Sequence, residues 1–390
     1  MHDITNIHSD YKKLGEYIKP IKVKNKDLRA KELLGINIDK FFMPSVANVV
    51  GTDLSKYKIV ENNQFACNRM HVGRDYRIPV ALSKREEPFI VSPAYDVFEI
   101  IDTSILHPEY LMMWFSRKEF DRNAWFHTDA DVRGGLPWKL FCNLELPIPS
   151  IEKQREIVKE YNTIVNRIKL NKQLNLKLEE TAQALYKHWF VDFEFPNGDL
   201  TDLDNYIDFN PKHSIKKNST VSYIEMADVQ ESAMSIKKTI KREFTSGSKF
   251  KNEDTLFARI TPCLENGKIG FVDCLKDKDV AYGSTEFIVM RAKNEVSPFW
   301  VYCLARDDNF RAYAISSMVG SSGRQRVHSD YLKEYKVNIA TSLNMSEFHK
   351  NVSSIFKQIK TRSEEIKLLN TMKNLLLAKM TKVEIEKEVI

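Results

Sequence analysis

The sequence predicts an α+β molecule: two mixed α/β domains joined by two long helices that pair as an antiparallel coiled coil. Three observations predict it. The chain repeats itself once over most of its length. Within each copy, alternating patterns of strand type give way to solid apolar runs of buried-helix type. Each copy then leads into a long stretch with heptad spacing and neither Gly nor Pro.

The first domain is expected over 1–146 and the second over 191–340. NNQFACNRMHVGR and IVSPAYDVFEI in the first lie over NEDTLFARITPCLENGK and VAYGSTEFIVMR in the second. At an offset of 192 residues Phe65 falls on Phe257, Ser92 on Ser284 and Tyr95 on Phe287. Farther on, at an offset of 190, Tyr110 falls on Trp300 and Phe120 on Phe310. Alternation around Val97, Glu99 and Ile101, and around Phe287 and Val289, reads as strand. The runs YLMMWF and WVYCLA read as buried helix.

A helix is expected over 147–190 and another over 341–390. In the first, Ile157, Tyr161, Ile164, Ile168, Asn171, Asn175, Leu178, Ala182 and Leu185 advance by alternating steps of four and three. In the second, Phe348, Val352, Ile355, Ile359, Arg362, Ile366 and Leu369 keep the same steps. These seams are the expected packing and subunit interface. Asn171 and Arg362 stand one repeat apart, and polar seam residues fix register and partner at a cost in stability. At about 1.5 Å per residue, 30–38 residues make a rod of roughly 45–57 Å, long enough to act as a spacer.

Composition sets outer bounds. Hydrophobic residues make up 43% of the chain, enough for a core in each domain. No apolar run approaches the ~18 residues that would span a bilayer, so no membrane partner is expected. The start, MHDITNIHSDYKK, carries acids and lacks an apolar core, so no signal peptide and a cytoplasmic location are expected. Five cysteines (67, 142, 263, 274 and 303) are widely spaced with no CxxC pair, which fits reduced thiols and no metal site. The net charge of +6 and pI near 8.8 suit a polyanion partner without requiring one.

Catalytic motifs are not found. Asn210-Pro211-Lys212-His213 lacks the second proline and the aromatic of an adenine-methyltransferase loop. Gly320-Ser-Ser-Gly323-Arg-Gln-Arg326 has no GK[ST] and reads as a backbone contact to phosphate rather than a nucleotide cradle. Glu152, Glu156 and Glu160 sit in the first turns of a helix, where acids suit the dipole. His71, His127, His213 and His328 have no partner at helical metal-ligand spacing. No catalytic residue and no cofactor of the chain's own are therefore expected.

Basic residues recur at related places in the two domains. Arg69, Arg74, Arg77, Lys84, Arg85 and Arg133 stand in the first, and Arg259, Lys268, Arg324 and Arg326 in the second. They are the candidates for DNA contact, since Arg and Lys reach phosphates and guanine edges. Arg133, Arg324 and Arg326 lead, because neighbouring glycines let the backbone approach a ligand closely.

A family resemblance rests on residues 146–196, LPIPSIEKQREIVKEYNTIVNRIKLNKQLNLKLEETAQALYKHWFVDFEFP. This stretch resembles the central conserved region of specificity subunits of type I restriction–modification enzymes. The matching positions are Pro147, Pro149, Glu152, Gln154, Asn171, Leu178, Glu179, Trp189 and Phe190. ARITPCLENGKIGFV (258–272), GSTEF (283–287) and GSSGRQRV (320–327) resemble the family's target-recognition domain, as do ACNRMHVGR (66–74), IVSPAY (90–95) and VRGGLPW (132–138). The second domain departs from the pattern by ending VNIAT (337–341) without Pro-x-Pro, and the second helix lacks the Glu-x-Gln and Trp-Phe marks.

The resemblance implies two target-recognition domains, each reading one part of a bipartite double-stranded DNA target. It implies two modification (methyltransferase) subunits held by the helices, and restriction subunits in the larger assembly. S-adenosylmethionine, ATP and Mg would be bound by those partners and not by this chain. The competing reading is a coiled-coil adaptor that binds only proteins; the basic, glycine-flanked loops speak against it.

Overall fold

The computed structural model describes residues 11–47, 51–70, 72–128, 134–192, 200–293, 295–321, 323–338 and 342–382. They form two compact units. One is built from the chain up to Asn166 together with the stretch from Leu369; the other is Arg167–Leu368.

The first unit holds strands β1 (Tyr11–Lys13), β2 (Ile18–Ile21), β3 (Leu34–Ile36), β4 (Phe42–Pro44), β5 (Lys58–Val60), β6 (Phe65–Cys67), β7 (Val80–Leu82), β8 (Phe89–Val91), β9 (Asp96–Ile100) and β10 (Glu145–Pro147). Its helices are α1 (Val72–Asp75), α2 (Pro108–Phe115), α3 (Lys118–Phe126), α4 (Trp138–Asn143) and the start of α5 (Ile151–Phe190). An antiparallel sheet runs β2-β9-β6-β7, and the pairs β3-β4 and β5-β8 are joined by a Leu33–Ile90 bridge into a second layer. Side chains alternate across a strand, so the first sheet feeds two cores. Phe65, Cys67 and Phe98 face the helices with Tyr110, Phe115 and Phe141, whereas Ala66 and Val97 face Val60, Phe89 and Val91 of the second layer.

The second unit repeats this plan. Its strands are β11 (Thr201–Asp202), β12 (Ile207–Phe209), β13 (Thr220–Ile224), β14 (Ile240–Glu243), β15 (Ser248–Phe250), β16 (Thr255–Ala258), β17 (Ile269–Phe271), β18 (Ala281–Gly283), β19 (Phe287–Ala292) and β20 (Lys336–Val337). Its helices are α6 (Pro298–Arg306), α7 (Asp308–Ser316), α8 (Ser329–Lys333), the remainder of α5 and most of α9 (Ser342–Lys379). Sheet β12-β19-β16-β17 matches the first sheet of the other unit, and β14-β13-β18-β15 matches its second layer. The helical run WVYCLA is buried on every side, as an apolar stretch without polar positions requires.

Strand pairing corrects one alignment read from the sequence. Asn63 and Glu253, both in left-handed backbone (φ 62° and 73°), open equivalent strands, and each donates its N–H across to the neighbouring strand's end, at Ser83 and Val272. Phe65 therefore lies over Thr255 and Cys67 over Phe257, rather than Phe65 over Phe257. A shift of two residues keeps every side chain on its face, so hydrophobic alternation alone does not detect it. Ser92 does lie over Ser284: each Oγ accepts the N–H two residues on, and each carbonyl the N–H three on.

The long helices pair antiparallel, as expected. In the first unit Ile157 and Val158 of α5 pack with Leu377 of α9 and Met380 just beyond its end. In the second, Arg167 Nε donates to Glu365 Oε1 at 2.7 Å, Asn175 Nδ2 donates to Ser363 Oγ at 3.1 Å, and Phe190 meets Phe348 at 5.1 Å. Ile164, Ile168, Asn171, Asn175, Ile355 and Ile359 are buried; Leu178, Leu185, Arg362, Ile366 and Leu369 are half-buried. Arg362 turns along its own helix, donating to the carbonyl oxygen of Gln358 at 3.2 Å. Among the described residues no helix is long and apolar enough to cross a membrane.

Candidate nucleic-acid interface

In each unit three loops converge on one end of the first sheet. In the first they are the loop after β6, the turn before β9, and the segment entering α4. Arg69 ties them together: its Nε donates to Asp96 Oδ2 at 2.7 Å, its Nη1 donates to the Leu136 carbonyl, and its backbone carbonyl accepts from Leu136 N at 2.9 Å. Its guanidinium also lies over the Trp138 ring at 5.4 Å. Gly73 N donates to Gly134 O at 2.7 Å, and a Cβ on either glycine would sit 2.6 Å from the other's Cα. Only two glycines allow that crossing, and Gly134 also has φ 55°.

The second unit closes the same three loops with other chemistry. The Arg259 carbonyl accepts from Val327 N at 2.9 Å, and Arg259 N donates to Glu286 O at 3.0 Å. Gln325 N donates to Thr261 Oγ1 at 3.1 Å while Thr261 N donates to Gln325 O at 3.1 Å. Arg326 grips Glu286 with Nε and Nη2, at 2.8–3.0 Å. That guanidinium, helped by nearby Arg259, holds the Glu286 carboxyl below the usual carboxylate range. Every segment whose residues suggested a recognition domain thus has residues at one of these two loop clusters.

The candidate cations differ in how free they are. Arg74 is bonded to Asp75 (2.7 Å), Arg77 to Asp39 (2.9 Å), Lys84 to Glu109 (2.7 Å) and Arg85 to Glu32 (2.6 Å). Lys268 Nζ donates to the Met226 carbonyl at 3.2 Å, and Arg259 Nε is buried without a partner. Arg324 is exposed and joins no ion pair among the described residues. Arg133 and His71 lie outside the described residues. The acids that occupy the arginines, Asp96 and Glu286, were not legible as partners. Glu286 lies forty positions from Arg326, and no local spacing connects them.

Two residues of α5 act as anchors. Gln154, fully buried, accepts from His107 N through Oε1 at 2.8 Å and donates Nε2 to the Ile105 and Pro149 carbonyls, each at 2.8 Å. It fixes the start of α5 to the loop entering α2. Glu179 accepts from Met234 N at 2.9 Å and from the Tyr302 hydroxyl at 3.0 Å, tying α5 to the domain of the second unit. Burial pushes its carboxyl above the ordinary value.

Between α5 and α9 of the first unit runs a groove of about 630 Å³, walled by Ile164, Met372, Leu375 and Leu376 with Glu160 and Lys379 at its rim. Met372 and Leu375 are exposed there, apolar surface of the kind that marks a protein contact.

No family model matches the chain. Its sequence is 34% identical over 110 residues to the type I restriction enzyme HindI specificity subunit of Haemophilus influenzae, covering 27% of this chain and 23% of that protein. It is 28% identical over 190 residues to the EcoAI specificity subunit of Escherichia coli (46% of this chain, 30% of that one). It is also 23% identical over 312 residues to the MjaIX specificity subunit of Methanocaldococcus jannaschii (72% and 69%). The matched stretches thus span about a quarter to a third of the HindI and EcoAI relatives. Among solved structures, the S subunit of a type I restriction–modification system from M. genitalium superposes with a TM-score of 0.57 at 13% identity, covering 96% of both chains. That likeness shows a shared fold.

Proposed function

We propose that this chain, whose curated relatives are type I restriction enzyme specificity subunits, reads a bipartite double-stranded DNA target, one part with each unit, and catalyses nothing itself. The observation that carries the reading is the three-loop cluster built twice. Two loop ends of the same design but different side chains suit two unlike half-sites. In this reading the α5–α9 pair recruits two modification subunits, one of them against the apolar groove of the first unit. Restriction subunits join the larger assembly, and S-adenosylmethionine, ATP and Mg are bound by the partners. The assembly works in the cytoplasm.

Methylation mapping of genomic DNA tests this, in cells carrying the chain with its modification partner and in cells lacking the chain. The expected result is a two-part motif with a fixed gap, methylated only when the chain is present. Methylation at the same motif without the chain would overturn the reading, as would methyl transfer by the purified chain alone.

A further inference from the structure

The loop-cluster cations described above are mostly spoken for by carboxylates, yet the chain carries a surplus of positive charge. Part of that surplus lies at one place in each unit. After β2 the chain runs along the free edge of β5: Ile59 N donates to the Val23 carbonyl at 3.0 Å, Asn25 N donates to the Tyr57 carbonyl at 2.9 Å, and Lys24 bridges Lys58. Lys22, Lys24 and Lys26 of this run are exposed, and none joins an ion pair among the described residues. In the second unit the chain after β12 passes β15 through a side-chain contact instead. Lys249 of β15 donates Nζ to the His213 carbonyl at 2.9 Å, and exposed Lys212, Lys216 and Lys217 flank that point, again outside any described ion pair.

Both edges begin at the candidate site. Lys58, opening β5, donates Nζ to the Tyr95 carbonyl at 2.5 Å, and Ser248, opening β15, donates Oγ to the Phe287 carbonyl at 2.8 Å. Those carbonyls end the turn that supplies one loop of each cluster. The lysines share no sequence motif between the units, only the position along this edge.

We propose that these two lysine edges are the DNA-backbone grip of the molecule, holding phosphates through Lys22, Lys24 and Lys26 in one unit and Lys212, Lys216 and Lys217 in the other, while the loop clusters read bases. This deepens the DNA-reading proposal and rests on it. Exposed lysines outside any described ion pair, gathered at one place in each unit, fit a phosphate grip. Lys22 and Lys24, two residues apart beside β5, have the side-chain repeat of extended chain, about 6.6–6.8 Å, twice the ~3.4 Å axial rise per phosphate of one DNA strand. Lysine acts there as a point charge without base preference, and clustered like charges otherwise only repel one another.

The test uses the full chain and a random-sequence 30-base-pair duplex, with anisotropy titrations across a series of salt concentrations. The variants are K22Q/K24Q/K26Q, K212Q/K216Q/K217Q and a control triple on the outer face of α5, K169Q/K172Q/K177Q. Each edge triple is expected to reduce the log–log salt slope by about two to three, at about 0.9 per phosphate released, and to weaken binding at least tenfold at about 0.1 M salt. The control should match wild type, and relieved repulsion should leave the edge variants melting no lower than wild type. Edge variants that keep the wild-type slope, or lose no more than the control, overturn the lysine grip and leave the loop-cluster reading standing. A wild-type chain that shows no salt-dependent DNA binding overturns both.

Discussion

At the scale of single residues, the second loop cluster sets a free arginine beside a neutralised one. Arg324 is exposed, whereas Arg326 is clamped by Glu286. Arg324→Ala is expected to relax sequence preference in one half of the methylation motif by about 1–3 kcal/mol if it contacts a base edge. A loss of affinity with the preference intact would assign it to phosphate instead. Glu286→Gln leaves Arg326 without its counter-charge and should strengthen non-specific DNA binding, read as a steeper salt slope. Glu179 supplies a pH signature. Burial raises its folded pKa above the ordinary 4.5, so folding favours the protonated carboxyl. Its contribution is fully present below the ordinary carboxylate range and is lost as pH rises through the raised value. Unfolding curves of the wild-type chain and of Glu179→Gln, followed from acid to neutral pH, should therefore diverge in slope, with the variant flatter. Parallel curves would remove Glu179 as the source.

At the scale of elements, α5 is anchored by a polar clamp in one unit and a carboxylate in the other, with a mixed apolar and polar seam between. Gln154→Ala would orphan the His107 N–H and the Ile105 and Pro149 carbonyls at a site with little access to water. A cost of about 2–4 kcal/mol in chemical denaturation is expected, from leaving more than one buried polar group unmade. A change under about 0.5 kcal/mol would mean that water replaces the glutamine. Residues at the heptad steps are buried or half-buried, and Leu178 and Leu185 pack on the core of the second unit as well. The seam's polar positions were found by the same steps, but their roles differ. Asn175 reaches Ser363 on the opposite helix, while Arg362 folds back on its own. Identity at a seam position does not decide which way a long side chain turns.

At the scale of the whole molecule, the two units have separate cores, so damage to one loop cluster should stay in its own half of the target. Gly73→Ala forces a Cβ to within 2.6 Å of the Gly134 Cα, an overpacking worth about 1–3 kcal/mol. Methylation maps with this variant should lose one half of the motif, and maps with Arg324→Ala the other. Loss of both halves from either change would refute independent reading. The sequence by itself determined the doubled α+β plan and the two heptad helices, which follow from periodicity and self-similarity, local or repeated along the chain; the segments that form the loop clusters were marked by the family resemblance. Only the tertiary structure decided the register of β6 against β16, since a slip of two residues leaves the hydrophobic pattern unchanged. Only it showed which cations are free, since Arg69 and Arg326 meet their carboxylates across 27 and 40 positions of chain. It likewise placed Lys24 beside Lys58 and the segment around Lys212 beside Lys249, because contacts between distant segments, and not spacing, bring these charges together.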